Sequence, residues 1–401
     1  MKKSIKAYSF FVFFLFLLSM ELWLGWGGRK TFILSLFACG AFLTHKLCNI
    51  RFSFSSRNII LVLLFYIAFL YKLNGGVAQI ITQIPSQLIP IICIVCVADE
   101  YKDDILNYIT KWYAQLMSVS LIVYILTILL PIHGLGSLEF YPDSGYPIYE
   151  NYVFYVKSAN YLMSSFPRFN GPFLEPGYVG MVGAFLLYTN YFNFKKKENQ
   201  IILLSVFFSL SLAGWVLLFI GYMLNVFYRG RIALAKLILY IVLVVSFIQI
   251  GQHYNNGNNI INERILSRLE YDEERGISGN NRNSDAITLL ALEMWSGDVG
   301  TLLFGYDNKY FLQFEDWELI GSGFDKFLVH HGLLCVLLVL SFYFYTICTA
   351  RDKKFALLFF VFVAFCFWQR CYAQWFSWII CFYYSSVIAD RNKCKKTPCY
   401  D

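Results

Sequence analysis

The chain has 401 residues, 58% of them hydrophobic, 19% aromatic and only 15% charged, with a net charge of +7. A mean hydropathy of +0.54 argues against a water-soluble globule, because apolar runs of about 17–25 residues suit a lipid bilayer and such runs recur from end to end. No P-loop, dinucleotide-binding fingerprint or kinase motif is present, and the intervening polar segments on one side are too short for a nucleotide-binding domain.

Candidate membrane helices fall in chain order at about 8–26, 31–48, 58–73, 77–98, 112–131, 173–193, 201–213, 214–228, 232–250, 324–348, 355–370 and 374–389. The first follows Lys2, Lys3 and Lys6 but leads to no small-residue cleavage site, which predicts an uncleaved helix rather than a secretory signal. Residues 201–228 carry no charge, and Ser209, Ser211 and Gly214 in their middle predict a break between two short helices, a device tolerated where backbone lines a cavity. The expected fold is therefore an all-α polytopic membrane bundle of about twelve crossings. Its parts are five N-terminal helices (1–131), a first outer loop (132–172), helices six to nine (173–250), a second outer loop (251–323) and three last helices with a basic tail (324–401).

Orientation follows from the basic residues, which favour the cytoplasmic side. Lys46, Arg51 and Arg57, then Lys195–Lys197, then Arg229, Arg231 and Lys236, then Arg351, Lys353 and Lys354, all fall on alternate connections. With Lys2, Lys3 and Lys6 and the tail residues Arg391, Lys393, Lys395 and Lys396 they fit one parity, placing both termini in the cytoplasm and the protein in the cell inner (plasma) membrane. Both long loops then face outward. The second has twelve acidic residues against five basic ones, yet no spacing resembles a calcium loop. Neither loop holds any of the eleven cysteines, so no disulfide framework is expected. Cys93 and Cys96 lie inside an apolar helix and read as small core residues. No metal site and no cofactor are expected.

The segment Pro167-Arg168-Phe169-Asn170-Gly171-Pro172-Phe173-Leu174-Glu175-Pro176-Gly177 joins the first outer loop to an apolar helix. An arginine and a glutamate at a membrane boundary suggest a functional site, although Arg168 could instead snorkel towards headgroups. Arginine offers a planar fork of donors that suits phosphate. Arg168, Arg268 and Arg282 are candidates to neutralise a departing diphosphate. Glu175 is a candidate base, its neutral form favoured by partial burial, or else an ion-pair partner that orients Arg168. His330 and His331 are candidate proton carriers. Asn170, Gly171, Tyr178, Tyr155, Tyr161, Arg370 and Gln374 are candidate substrate-binding residues. The loop tyrosines would present flat faces and hydroxyls to sugar rings, or form an interfacial aromatic belt.

The run from Arg168 to Gly177 resembles the R-x-x-G-x-x-x-E-P signature of O-antigen and capsular polysaccharide polymerases. The uncharged segment Leu203–Trp215, the arginines of the second loop, Phe304-Gly305-Tyr306 and the Gly321–Gly332 run follow in the same order, so the likeness covers roughly the last 240 residues. It implies a bundle related to membrane glycosyltransferases that use polyprenyl-phosphate donors, the GT-C-like class. It implies an undecaprenyl-diphosphate-linked oligosaccharide as both donor and acceptor, with a flippase and a chain-length regulator as possible partners beside membrane lipid, and no nucleic acid. Arg268 and Gly279 fit the family's R-x10-G spacing, whereas Arg168 and Gly180 are one residue too far apart. The rival expectations are an O-antigen ligase, which delivers glycan to lipid A core and would use a histidine such as His330 or His331, and a flippase of the lipid-linked unit. Transporters of that kind show paired halves and midplane polar sites, which this chain lacks.

Overall fold

The computed structural model describes residues 2–70, 83–140, 148–158, 167–230, 284–311 and 323–388, with scattered positions between 242 and 277 and at 313. The protein is mostly helical, with few strands. The long helices are α1 (Lys2–Ser19), α2 (Lys30–Leu47), α3 (Ser56–Leu70), α4 (Ile84–Cys96) and α5 (Asp99–Leu129). They continue with α6 (Pro176–Thr189), α7 (Lys197–Phe208), α8 (Leu212–Tyr228), α9 (Asp285–Ser296) and the short α10 (Val299–Phe304) and α11 (Asn308–Phe311). Three more complete the bundle: α12 (Phe324–Thr349), α13 (Lys353–Gln369) and α14 (Phe376–Val387).

Among the described residues two helices, α5 and α12, are long and apolar enough to cross a membrane, and α3, α4, α8 and α14 are shorter apolar helices. Residues 71–82 and most of 231–248, where the sequence predicts the start of one helix and the whole of another, lie outside the described residues.

Helix α5 starts well before the expected 112. Asp99 and Glu100 occupy its first turn, where the helix dipole favours anions. The charged run Lys102-Asp103-Asp104 is thereby absorbed into the helix. Lys102 is fully buried, and its ammonium donates to Asp99 Oδ1 (2.7 Å), the Tyr383 hydroxyl (3.1 Å) and the Val95 carbonyl (3.2 Å). Arg57 closes on the same carboxylate at 2.8 and 2.9 Å, and Tyr383 donates to Asn58. The network ties α3, α4, α5 and α14 together at one end of the bundle. Tyr383 reaches it from a π-helical turn, Ile380–Tyr384.

The uncharged stretch 201–228 is indeed two helices. α7 ends at Phe208, Leu210 takes φ +45°, and Ser211 caps α8 by accepting from Gly214 N–H. Gly183 on α6 faces Val206 and Ile202 of α7, whereas Gly180 faces Gly214 and Asn225 reaches Tyr191. α7 therefore runs antiparallel to α6 and α8 parallel to it. The three glycines of α6 at positions 177, 180 and 183 form one stripe that admits its neighbours closely.

Contacts between helix ends fix the polarity of the rest. Phe324 stacks on Trp368 and Phe327 meets Phe367, so α12 begins where α13 ends. Phe69 at the end of α3 meets His331, and Ser19 at the end of α1 accepts from the backbone N–H of Ser377. The opposite end holds the Lys102 network and the Tyr228–Asp352 hydrogen bond.

The segment between α5 and α6 contains a small antiparallel sheet of β1 (Ser137–Leu138), β2 (Tyr149–Asn151) and β3 (Val156–Ser158). Tyr149 pairs with both Leu138 and Ser158, and its side chain is buried against Trp26.

Candidate functional site

The Arg168–Gly177 segment is a clamped loop. Tyr124 donates to the Pro167 carbonyl (2.7 Å), Val156 N–H to Gly171 (2.9 Å), Trp23 N–H to Pro172 (3.1 Å) and Tyr149 to Leu174 (3.0 Å). Four elements far apart in sequence thus hold its backbone, which is what buried amides and carbonyls require.

Arg168 sits at the break between α7 and α8. Its Nε donates to the Ser209 carbonyl at 3.3 Å, and Phe169 N–H donates to Phe208 at 3.0 Å. The last carbonyls of a helix carry partial negative charge, so a guanidinium is favoured there. Glu175 is the N-cap of α6, followed by Pro176 at the first helical position, a place that suits proline because its missing N–H is not needed. The Glu175 side chain makes no capping bond. Instead Oε2 accepts from Arg370 Nη1 at 2.6 Å.

Arg370 terminates α13 and is almost wholly buried, its side chain 7% exposed against 27% for Glu175. The neighbouring Glu175 carboxylate supplies the opposite charge that such burial calls for. The space the guanidinium fills exists because residue 177 is glycine: a Cβ there would lie 2.8 Å from Nη2 and 2.9 Å from Cζ. Tyr178 lies beneath, its ring 5.6 Å from the guanidinium carbon. Tyr372 and Trp375 stack at 4.1 Å, and Tyr178 meets both edge-on. Arg370 Nε and Gln374 Oε1 are buried polar atoms without a hydrogen-bond partner among the described residues.

The expected residues are therefore sorted as follows. Glu175, Tyr178 and Arg370 come together at the first turn of α6, and Gln374 is the chain neighbour of Trp375, which packs on Tyr178. Arg168 flanks the next turn, since Ser211 and Gly214, beside its Ser209 partner, pack on Gly180. The Glu175 carboxylate meets the guanidinium of Arg370. Asn170, Gly171 and Tyr155 hold the loop rather than line a surface. Asn170 is buried and donates to the Phe173 carbonyl (2.9 Å), Gly171 is tied to β3, and Tyr155 is buried between Tyr124 and Phe169.

His330 stacks on Phe311 at 4.2 Å, and His331 lies against Phe69 and Phe327. They reach the same end of the bundle along α12, which is broken one residue later at Gly332 (φ +72°). There Tyr306 N–H donates to Val329, and a Cβ on Gly332 would overlap the Leu303 carbonyl. Arg268, Arg282 and Tyr161 lie outside the described residues.

Sequence reasoning missed Tyr372 and Trp375. Their signal was present as Arg370-x-Tyr372-x-Gln374-Trp375, a polar and aromatic run interrupting two apolar helices. Among the described residues no cluster of three or more histidines, cysteines or carboxylates could hold a metal ion. Comparison of the chain with protein-family models, with curated proteins and with solved structures finds no match.

Proposed function

We propose that this protein is a multi-pass membrane glycosyltransferase that lengthens a polysaccharide. In this reading it moves the growing glycan from undecaprenyl diphosphate onto a fresh lipid-linked repeat unit at the outer leaflet. The bundle would cross the inner membrane about twelve times in a GT-C-like arrangement with both termini in the cytoplasm. The resemblance of Arg168–Gly177 to the polymerase signature motivates the activity.

Two features support the membrane setting. Large apolar side chains are exposed along the helices, among them Phe32, Leu36 and Leu43 on α2, Ile122 and Leu129 on α5, Phe344 on α12, and Phe365 and Trp368 on α13. An apolar exterior over so many elements suits lipid better than water. The connections carrying Lys46 and Arg51, Lys195–Lys197, Arg229, and Arg351–Lys354 also gather at the end of the Lys102 network. The Arg168 and Arg370 sites occupy the other end, as basic-inside bias requires.

The observation that carries the catalytic reading is the meeting of Glu175 with buried Arg370 at the start of α6, with Arg168 one turn away and an aromatic wall of Tyr178, Tyr372 and Trp375. Fixed cations stabilise the charge that develops on a leaving diphosphate. Arginine serves because it keeps its charge and presents paired donors. Aromatic faces and an amide accommodate a saccharide. Roles for Arg268 and Arg282 on the same diphosphate remain part of the proposal.

A ligase is the second reading, favoured by His330 and His331 standing beside the α12 break at the same end. Deleting the gene distinguishes the two. Loss of a polymerase leaves glycans one repeat long, loss of a ligase strips glycan from the lipid core, and an unchanged glycan ladder contradicts both.

A further inference from the structure

We propose that Arg370 is a positioning residue that fixes Glu175 as an ion-paired anchor at the start of α6, so that Glu175 orients the site rather than titrating during the reaction. The inference rests on the glycosyltransferase reading for its substrate, though not for its geometry.

Four observations converge. The two groups come from opposite halves of the chain, 195 residues apart, and meet at 2.6 Å. Arg370 is more than nine-tenths buried, so protonating Glu175 would strand a cation away from water, where lone charges are strongly disfavoured. Glu175 forgoes the N-cap bond open to it and turns to the arginine. Position 177 is vacant of side chain where the guanidinium lies, since a Cβ would come within 2.8 Å of Nη2.

The pair also leaves its own polar atoms for a ligand. Among the described residues Arg370 Nε–H has no acceptor and Gln374 Oε1, four residues on, has no donor. Buried polar atoms without partners ask for an explanation. A saccharide hydroxyl, which both accepts and donates, is a chemistry that would suit either atom. Glu175 would then act at a distance from the reacting atoms by holding Arg370 still, and the carboxylate would remain ionised throughout.

A double-mutant cycle tests this, using Glu175→Gln, Arg370→Gln and the double variant. Each is expressed in cells deleted for the gene, and glycan length, protein in the membrane fraction and melting temperature in detergent are read. Removing one member of a buried pair is damaging because the other is left uncompensated, whereas removing both is far milder. Each single variant should cut polymer by about tenfold or more and lower the melting temperature. The double should melt close to wild type, while its polymer stays low because the arginine that serves the substrate is gone with the pair.

A double variant whose melting loss is the sum of the two single losses would overturn the inference, as would an acid limb in the wild-type pH profile of polymer formation that disappears from the residual activity of Glu175→Gln, because an ion-paired anchor does not titrate. If the single variants fail to accumulate, presence of the double in the membrane supports the pairing and its absence overturns it. If wild-type protein fails to lengthen glycan, the glycosyltransferase reading falls. The melting temperatures still decide the pairing, additive losses counting against it.

Discussion

Gly177→Ala removes no functional group, yet it should disable the Arg370 site. The added methyl would lie 2.8 Å from Nη2, 2.9 Å from Cζ and 3.4 Å from Nε, so the guanidinium must retreat from the first turn of α6. Its 2.6 Å bond to Glu175 is charge-assisted, a class worth about 1.5–3 kcal/mol. Replacing glycine by alanine at a compatible helical position gains about 0.4–1 kcal/mol through the unfolded chain. The net expectation is a loss of roughly 1–2 kcal/mol, visible as a drop of about 1–2 °C in melting temperature, together with reduced polymer. In an Arg370→Ala/Glu175→Gln background the clash is gone and only the alanine gain remains, so the same substitution should raise the melting temperature. The assay is thermal unfolding of purified protein in detergent across the four variants. An effect of the same sign and size in both backgrounds would refute the packing argument.

Other expectations follow from the same geometry. Arg168→Ala should abolish polymer while leaving the protein in the membrane, and full-length polymer from that variant would discard the arginine's role. Gly332→Ala should destabilise by about 1–3 kcal/mol, because φ +72° with an extended ψ is a glycine conformation; an unchanged melting temperature contradicts it. Lys102→Met should be costly, by about 3–5 kcal/mol, since it breaks a buried network and leaves Asp99 with Arg57 alone. That loss should appear in detergent melts whether or not the enzyme reading holds.

Much of the helical framework was legible because each helix is a continuous apolar run bounded by polar residues. The break at Ser209–Ser211 was legible from small polar residues in an uncharged stretch. Helix α5 was not: a Lys-Asp-Asp run reads as a solvated boundary, and only the packing of Asp99, Arg57 and Tyr383 around Lys102 makes its burial tolerable. The strands β1–β3 are two or three residues long, below the length at which alternation shows. At the site, the Arg168–Glu175 spacing drew attention to this loop but did not point to the pairing of Glu175 with Arg370. Local spacing says nothing about residue 370, and the partner of Glu175 comes from a turn that only the folded bundle brings near. Asn170, Gly171 and Tyr155 looked like ligand contacts because polar and aromatic residues in a loop carry the same signature whether they bind a substrate or hold the loop.

The most direct test is reconstitution of the purified protein in liposomes with an undecaprenyl-diphosphate-linked repeat unit, followed by the length of the lipid-linked glycan. A ladder of multiples that disappears with Arg168→Ala is the predicted result. Repeat units that stay single with wild-type protein correctly inserted would contradict the account.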